Sequence, residues 1–301
     1  MLCKTPYVRD PSGKVFKMAL LSDNKDLYLE GIPFPCGQCL PCRINRRRVW
    51  THRLMLESYA HTDSCFVTLT YKPESLPPGG TLDKRHVQLF IKSLRDRIHP
   101  RRIRYYACGE YGERSRRPHY HLILFGLPAF GTDAVEKCWP HGLVHIGSFT
   151  EQSASYVAGY VTKKHVKPAT VSLEDGICLE PEFSLMSRKP GIGFPALDDI
   201  CKLVDNPHFQ EFLQIKGDVP DGLKHGKSFY PFGRYLRDKL RYMMDVNYDM
   251  DSFVNEMRIK YMEARNHDKT LTDHLIAESA QRNLQISARF KIFNRNRRDQ
   301  V

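Results

Sequence analysis

The sequence predicts an α+β fold: a central antiparallel sheet of about five strands with helices packed on one face. Three observations carry that expectation. Between Cys65 and Lys164 the elements read strand, helix, three strands, helix, not a regular strand–helix alternation. Two of the strands are separated by a short turn containing Gly112, as in a hairpin. The helical segments carry apolar residues three and four positions apart.

Residues 1–42 are irregular and rich in Pro and Gly, and they end in Cys36-Gly-Gln-Cys39-Leu-Pro-Cys42. From Arg43 to His61 no Gly or Pro interrupts the chain. Arg43, Arg46, Arg47, Arg48 and Arg53 alternate there with Ile44, Val49, Trp50 and Leu54, which reads as a basic helix. Cys65–Tyr71 is a strand by its β-branched and aromatic content, and Pro77-Pro78-Gly79-Gly80 is a loop. A helix over Asp83–Ile98 carries Val87, Phe90, Ile91, Leu94 and Ile98 on one face and stops at Pro100. Strands follow at Ile103–Glu110, His119–Phe125 and Leu143–Phe149, then a helix over Glu151–Lys164.

Beyond about residue 168 the signals weaken, with helical stretches within Asn206–Gln214 and Tyr235–Ala280 and a basic tail from Arg289 to Arg298. Three segments are therefore expected. They are a cysteine cluster with the basic helix (1–62), an α+β core (63–168) and a mainly helical extension packed on the core (169–301).

Composition narrows the function. Lys and Arg outnumber Asp and Glu by 46 to 34, giving a net charge of +12 and favouring a polyanionic partner. No apolar run approaches the roughly 20 residues that span a bilayer, so no membrane role is expected. Lys4, Arg9, Asp10 and Lys14 break up the N-terminus before the apolar stretch of a signal peptide can form. Nine cysteines without such a signal argue for a reducing compartment.

The chemistry gathers in the hairpin. Alternate strand residues share a face, so His119 and His121 can hold one metal ion between them. With the turn centred between Arg114 and Ser115, Glu110 faces His119 and Cys108 faces His121. Opposed Cβ atoms on such a pair lie roughly 4.5–5.5 Å apart. Two imidazoles and a carboxylate then converge. That set also describes non-haem iron sites and can hold zinc; carboxylate and water ligands favour Mn²⁺ or Mg²⁺, and the imidazoles tilt the choice towards Mn²⁺. The net charge, together with Arg114, Arg116 and Arg117 beside the turn, points to phosphodiester chemistry, because arginines can hold backbone phosphates next to the metal.

The helix Tyr156-Val-Ala-Gly-Tyr160-Val-Thr-Lys163-Lys164 places two phenols one turn apart. Small neighbours Ala154, Ala158 and Gly159 are expected to let a DNA strand approach. An ordinary tyrosine, with a pKa near about 10, is a poor nucleophile at neutral pH. Lys163, Lys164 or the metal would favour its phenolate.

These residues carry a resemblance. The chain resembles the replication initiators of gokushovirus-type microviruses, members of the HUH endonuclease superfamily. The matching motifs are Phe66-Val-Thr-Leu-Thr-Tyr71, then Cys108-Gly-Glu-Tyr-Gly112 with Arg117-Pro-His-Tyr-His121, then Tyr156 to Lys164. Pro35-Cys-Gly-Gln-Cys39 and Met186-Ser-Arg-Lys-Pro-Gly191 add to it. The three main motifs span about a third of the chain, in the family's order. One departure is that Tyr120, between the histidines, is aromatic instead of aliphatic.

The resemblance implies a ferredoxin-like palm and rolling-circle replication in the host bacterial cytoplasm. Single-stranded or nicked origin DNA would be the substrate, with host helicase and DNA polymerase as partners. One tyrosine would cut and hold a 5′-phosphotyrosine, and the other would serve the second cleavage and circularisation. Transposases of the superfamily, the nearest alternative enzyme, typically use one tyrosine. A segment that mimics a nucleotide-binding loop, Asp221-Gly-Leu-Lys-His-Gly226-Lys-Ser228, has Asp at the first Gly position and is one residue short.

Cys36, Cys39 and Cys42 have metal-ligand spacing, and Cys3, from the same irregular segment, is the fourth candidate for a structural Zn²⁺. An iron–sulfur cluster is the less favoured use of these thiols. A zinc-stapled DNA-binding protein with a purely structural histidine pair is the non-enzymatic alternative. The aromatics after residue 170 can stack on bases or cover the core.

Overall fold

The computed structural model describes residues 3, 7–10, 12–17, 32–112, 115–130, 133–163 and 179–246. It divides the chain into two compact units, one of Met1–Lys4 with Cys36–Tyr248 and the other of Thr5–Pro35 with Asp249–Val301. In the second unit, β1 (Tyr7–Arg9) pairs antiparallel with both β2 (Val15–Lys17) and β3 (Ile32–Phe34).

The first unit is built on a five-stranded antiparallel sheet. Its strands are β4 (Ser64–Thr70), β5 (Arg104–Tyr111), β6 (Pro118–Phe125), β7 (Val144–Ser148) and β8 (Phe183–Met186), in the order β7-β4-β6-β5-β8. The α+β expectation is met, but the helices cover both faces. On one face, α2 (Lys84–Arg97) lays Val87, Phe90, Ile91 and Leu94 against Val67, Leu69, Tyr120, Leu122 and Leu124. On the other, α1 (Leu40–Tyr59) and α4 (Glu151–Lys163) pack against Tyr106, Cys108, Ile123 and Phe125. The reason is visible in β6, whose two alternating residue sets are both largely apolar, so each face must be covered. A short helix α3 (Ala134–Lys137) leads into β7.

Local signals explain the helix boundaries. The Asp83 carboxylate accepts a hydrogen bond from Arg85 N (2.7 Å) and caps α2. Helix α1 starts three residues before the expected Arg43, because Pro41 suits the first helical turn. Cys42 is thereby drawn into that turn.

The fifth strand lies outside the expected 63–168 core. Four residues long and at the sheet edge, β8 carries too little alternation to be read from sequence. Phe183 from β8 lies where a Cβ on Gly109 would sit, 2.9 Å away, so the residue beside Glu110 has to be small. After β8 come α5 (Leu197–Cys201), α6 (Pro207–Lys216), the hairpin β9 (Gly222–His225) and β10 (Ser228–Pro231), and α7 (Gly233–Met243). The segment that mimics a nucleotide loop is thus a β-hairpin, turning at Gly226 with φ +57°. Leu56 of α1 joins Leu197, Ile200, Phe232, Leu236 and Leu240 in a common core, so α5 and α7 pack on the main body. Most of the expected helical stretch up to Ala280, and the basic tail, lie outside the described residues.

Glu57 is the buried charge that joins these parts. Its carboxylate accepts from Gly193 N (2.6 Å), from Arg104 Nε, and from His61 Nε2 at 3.4 Å. Burial opposes ionisation of Glu57, yet the bonds from His61, Arg104 and Gly193 hold its carboxyl below the usual 4.5. A depressed carboxylate contributes stability above its unfolded pKa and loses it as pH falls. We therefore expect Glu57→Ala to cost about 3 kcal/mol in urea denaturation, since it strands Arg104. Wild-type stability should also fall below a pH of about 4.5 more steeply than that of Glu57→Gln.

Candidate active site and metal centre

The β5–β6 register pairs Glu110 with His119 and Cys108 with His121, as the hairpin arithmetic predicts. All three candidate ligands project from the face covered by α1 and α4. One oxygen, Glu110 Oε1, lies 2.8 Å from His119 Nε2 and 3.0 Å from His121 Nε2. The ligand atoms of the three residues lie within 4.8 Å of one another, a spacing that can hold one metal ion. Burial works against charge on Glu110, but hydrogen bonds from His119, His121 and Tyr160 keep it ionised well below the usual carboxylate range.

Each imidazole is held by its other nitrogen. His119 Nδ1 lies 3.2 Å from the Arg117 carbonyl, and His121 Nδ1 lies 3.0 Å from Thr68 Oγ1 on β4. Such outer bonds fix the ring and its tautomer and leave Nε2 for a metal. Phe66, two residues before Thr68, stacks on the His121 ring at 5.6 Å. Thr68 and Phe66 were legible only as strand residues. Pairing Thr68 with His121 across β4 and β6 gives them this second role.

Helix α4 lies over the same face. Tyr156 Oη is 3.2 Å from His121 Nε2 and 3.5 Å from Glu110 Oε1. Tyr160 is 2% exposed, and its ring stacks on His121 at 5.8 Å. Both phenols therefore border the ligand cluster, Tyr156 half-buried and Tyr160 enclosed. The small residues of α4 serve packing. Ala154 and Ala158 are fully buried, and Gly159 faces Arg47 of α1, so they admit a neighbouring helix and not a DNA strand. Arg47 donates to Ser155 O (2.9 Å) and Ser155 Oγ (2.7 Å), which pins α1 to the residue before Tyr156.

The aromatic residue between the histidines points the other way. Tyr120 Oη accepts from Asp83 N (2.9 Å), donates to Asp83 O (3.1 Å) and meets Tyr71 Oη at 2.7 Å. It ties the metal-bearing strand to the start of α2. An aliphatic residue at this position lacks the hydroxyl that makes these bonds.

Of the candidate DNA-binding arginines, Arg47 and Arg48 are engaged within the protein, Arg48 with Phe229 O. Arg117 donates to Tyr71 O (2.8 Å), Arg116 is exposed with φ +54°, and Arg43 and Arg46 are half-buried on α1. Arg114, Lys164 and the Lys163 side chain lie outside the described residues. The second candidate cluster also forms: Cys3, Cys36, Cys39 and Cys42 bring four sulfurs within 4.8 Å of one another. Among the described residues, no helix is long and apolar enough to cross a membrane.

The family profile of the ORF2-type replication-associated proteins matches residues 64–165, the stretch holding the ligands and both tyrosines. The replication-associated protein VP4 of Bdellovibrio phage phiMH2K is 34% identical over 235 residues, covering 70% of this chain and 68% of that protein. The chain belongs to this family of phage replication-associated proteins. Replication-associated protein ORF2 of Spiroplasma virus 4 is 33% identical over 56% of this chain, and ORF4 of Chlamydia phage 1 is 28% identical over 75%. The matched region spans 58% of each of those two relatives. No solved structure matches the chain.

The outer bonds make a specific prediction for this family member. Thr68→Val, which removes the hydroxyl beside His121 Nδ1, should weaken Mn²⁺ binding by about 10-fold in titration calorimetry. His121→Ala should abolish binding at this site, and an unchanged affinity would rule out the ligand assignment.

Proposed function

We propose that this protein initiates rolling-circle replication of a phage genome as a metal-dependent single-strand DNA nickase and strand transferase of the HUH type. The observation that carries the reading is the Tyr156 hydroxyl, 3.2 Å from the imidazole nitrogen that would ligate the metal. Glu110, His119 and His121 would hold Mn²⁺ or Mg²⁺, hard ions suited to a carboxylate and two imidazoles with open positions. When bound, such an ion supplies Lewis-acid polarisation of a phosphate oxygen and charge stabilisation.

The protein's own groups do the rest. Tyr156 sits with its hydroxyl at the ligand cluster and is the nucleophile placed to act first. Its oxygen attacks the scissile phosphorus of single-stranded or nicked origin DNA. A new P–O bond forms to the tyrosine, and the bond to the 3′ oxygen breaks. That oxygen leaves as a 3′ hydroxyl, taking up a proton, while the phenol proton passes to a neighbouring base or to solvent. The free 3′ hydroxyl primes synthesis by host polymerase behind a host helicase. Tyr160 then cleaves the regenerated origin, and the released 3′ hydroxyl attacks the first phosphotyrosine, frees Tyr156 and closes the circle. One phosphoester is exchanged for another at each step, so joining needs no nucleotide triphosphate.

Arg43, Arg46, Arg114, Arg116 and Arg117 are assigned to the DNA backbone, and Lys163 and Lys164 to charge neutralisation near the tyrosines. The setting is the host bacterial cytoplasm, where metal ions and the replication partners are at hand.

Incubation with single-stranded oligonucleotides tiling the phage genome, with Mn²⁺, should yield a covalent protein–DNA adduct on a denaturing gel. Tyr156→Phe with Tyr160→Phe should abolish the adduct and leave DNA binding intact. Tyr156→Phe alone should lower initial cleavage at least about 100-fold, as expected for loss of a nucleophile. Absence of cleavage by the wild type with any divalent metal would leave only a DNA-binding role.

A further inference from the structure

Helix α1 begins in a knot of sulfur. Cys39 occupies its N-cap position, Cys42 lies buried in its first turn, Cys36 stands just before it, and Cys3 arrives from the start of the chain. The Cys3 and Cys39 sulfurs are 3.7 Å apart, far beyond a disulfide bond. Four thiolates set tetrahedrally at about 2.3 Å from one zinc ion lie about 3.8 Å from one another. The observed separation is that of two ligands on a shared ion. A four-iron cluster would hold its thiolates further apart than the 4.8 Å within which all four sulfurs lie.

The backbone around the knot is shaped for thiolates. Gln38 N and Cys39 N both point at Cys36 Sγ, at 3.4 and 3.3 Å, and Cys36 N points at Cys3 Sγ at 3.3 Å. Gly37, with φ +74°, lets the chain turn tightly enough to bring these N–H groups round. Amide donors aimed at sulfur lower the charge each ligand carries, as does the N-terminus of α1 for Cys39 and Cys42.

We propose that Cys3, Cys36, Cys39 and Cys42 form a structural tetrathiolate zinc site. It staples the start of the chain to the first turn of α1. Because α1 reaches Ser155 through Arg47, the staple also holds the helix that bears Tyr156. That last link rests on the nickase reading; the zinc site does not.

Elemental analysis of the full-length protein, purified without chelator, should find about one zinc per chain. His121→Ala should retain that zinc and Cys39→Ser should lose it. Should Cys39→Ser fail to fold, wild-type protein produced with Co²⁺ decides. A near-ultraviolet thiolate-to-cobalt charge-transfer band with strong visible bands is expected for a tetrahedral sulfur site. Iron in place of zinc, zinc lost with His121→Ala instead of Cys39→Ser, or cobalt protein lacking the charge-transfer band would overturn the proposal. Zinc-loaded protein that forms no DNA adduct would overturn the nickase reading and leave the zinc site standing.

Discussion

A carboxylate can be buried only if donors surround it, and the candidate site is organised by the donors gathered round Glu110. Its one oxygen draws in the Nε2 atoms of both histidines and the hydroxyl of Tyr156. Three elements, β5, β6 and α4, are therefore tied at a single atom. Positive charge suits the same point, whether as imidazolium protons or as a divalent ion. The fold presents a ready negative centre with two imidazoles aimed at it, and the nucleophile sits at its edge.

The sheet divides its two faces between stability and chemistry. One face is almost wholly apolar under α2, interrupted chiefly by the hydroxyl pair of Tyr71 and Tyr120. The other begins as core, with Ile123 and Phe125 under α1 and α4, and ends at the ligand residues near the hairpin turn. Since side chains alternate along β6, one strand supplies core to the first face and ligands to the second. Rigidity under the histidines is a consequence of that sharing, because the residues between and beyond them are locked in cores.

Helix α1 mediates between the parts of the larger unit. It meets the sheet through Leu54 and Met55, the C-terminal helices through Leu56, β5 and the Gly193 turn through Glu57, and α4 through Arg47. A helix rich in arginine reads as a nucleic-acid surface. Several of its arginines instead serve as long arms to backbone carbonyls, which suits guanidinium's fixed donor geometry.

Much of this was legible in order. Period-two and helical spacing identify four core strands and the helices that flank them, and counting across the turn pairs Glu110 with His119, because hairpin register is local. The tyrosine spacing and the CxxCxxC run are likewise local patterns. What distance along the chain hides is everything set by packing. Examples are the edge strand β8, the helices on both faces, the Thr68 hydroxyl behind His121, and Arg47 on Ser155. The unequal burial of Tyr156 and Tyr160 belongs with them. Sequence alone determined which groups are available and which neighbours share a face. Only the tertiary structure decided which of them meet across elements, since burial and long-range hydrogen bonds depend on surfaces that exist only once the chain has folded.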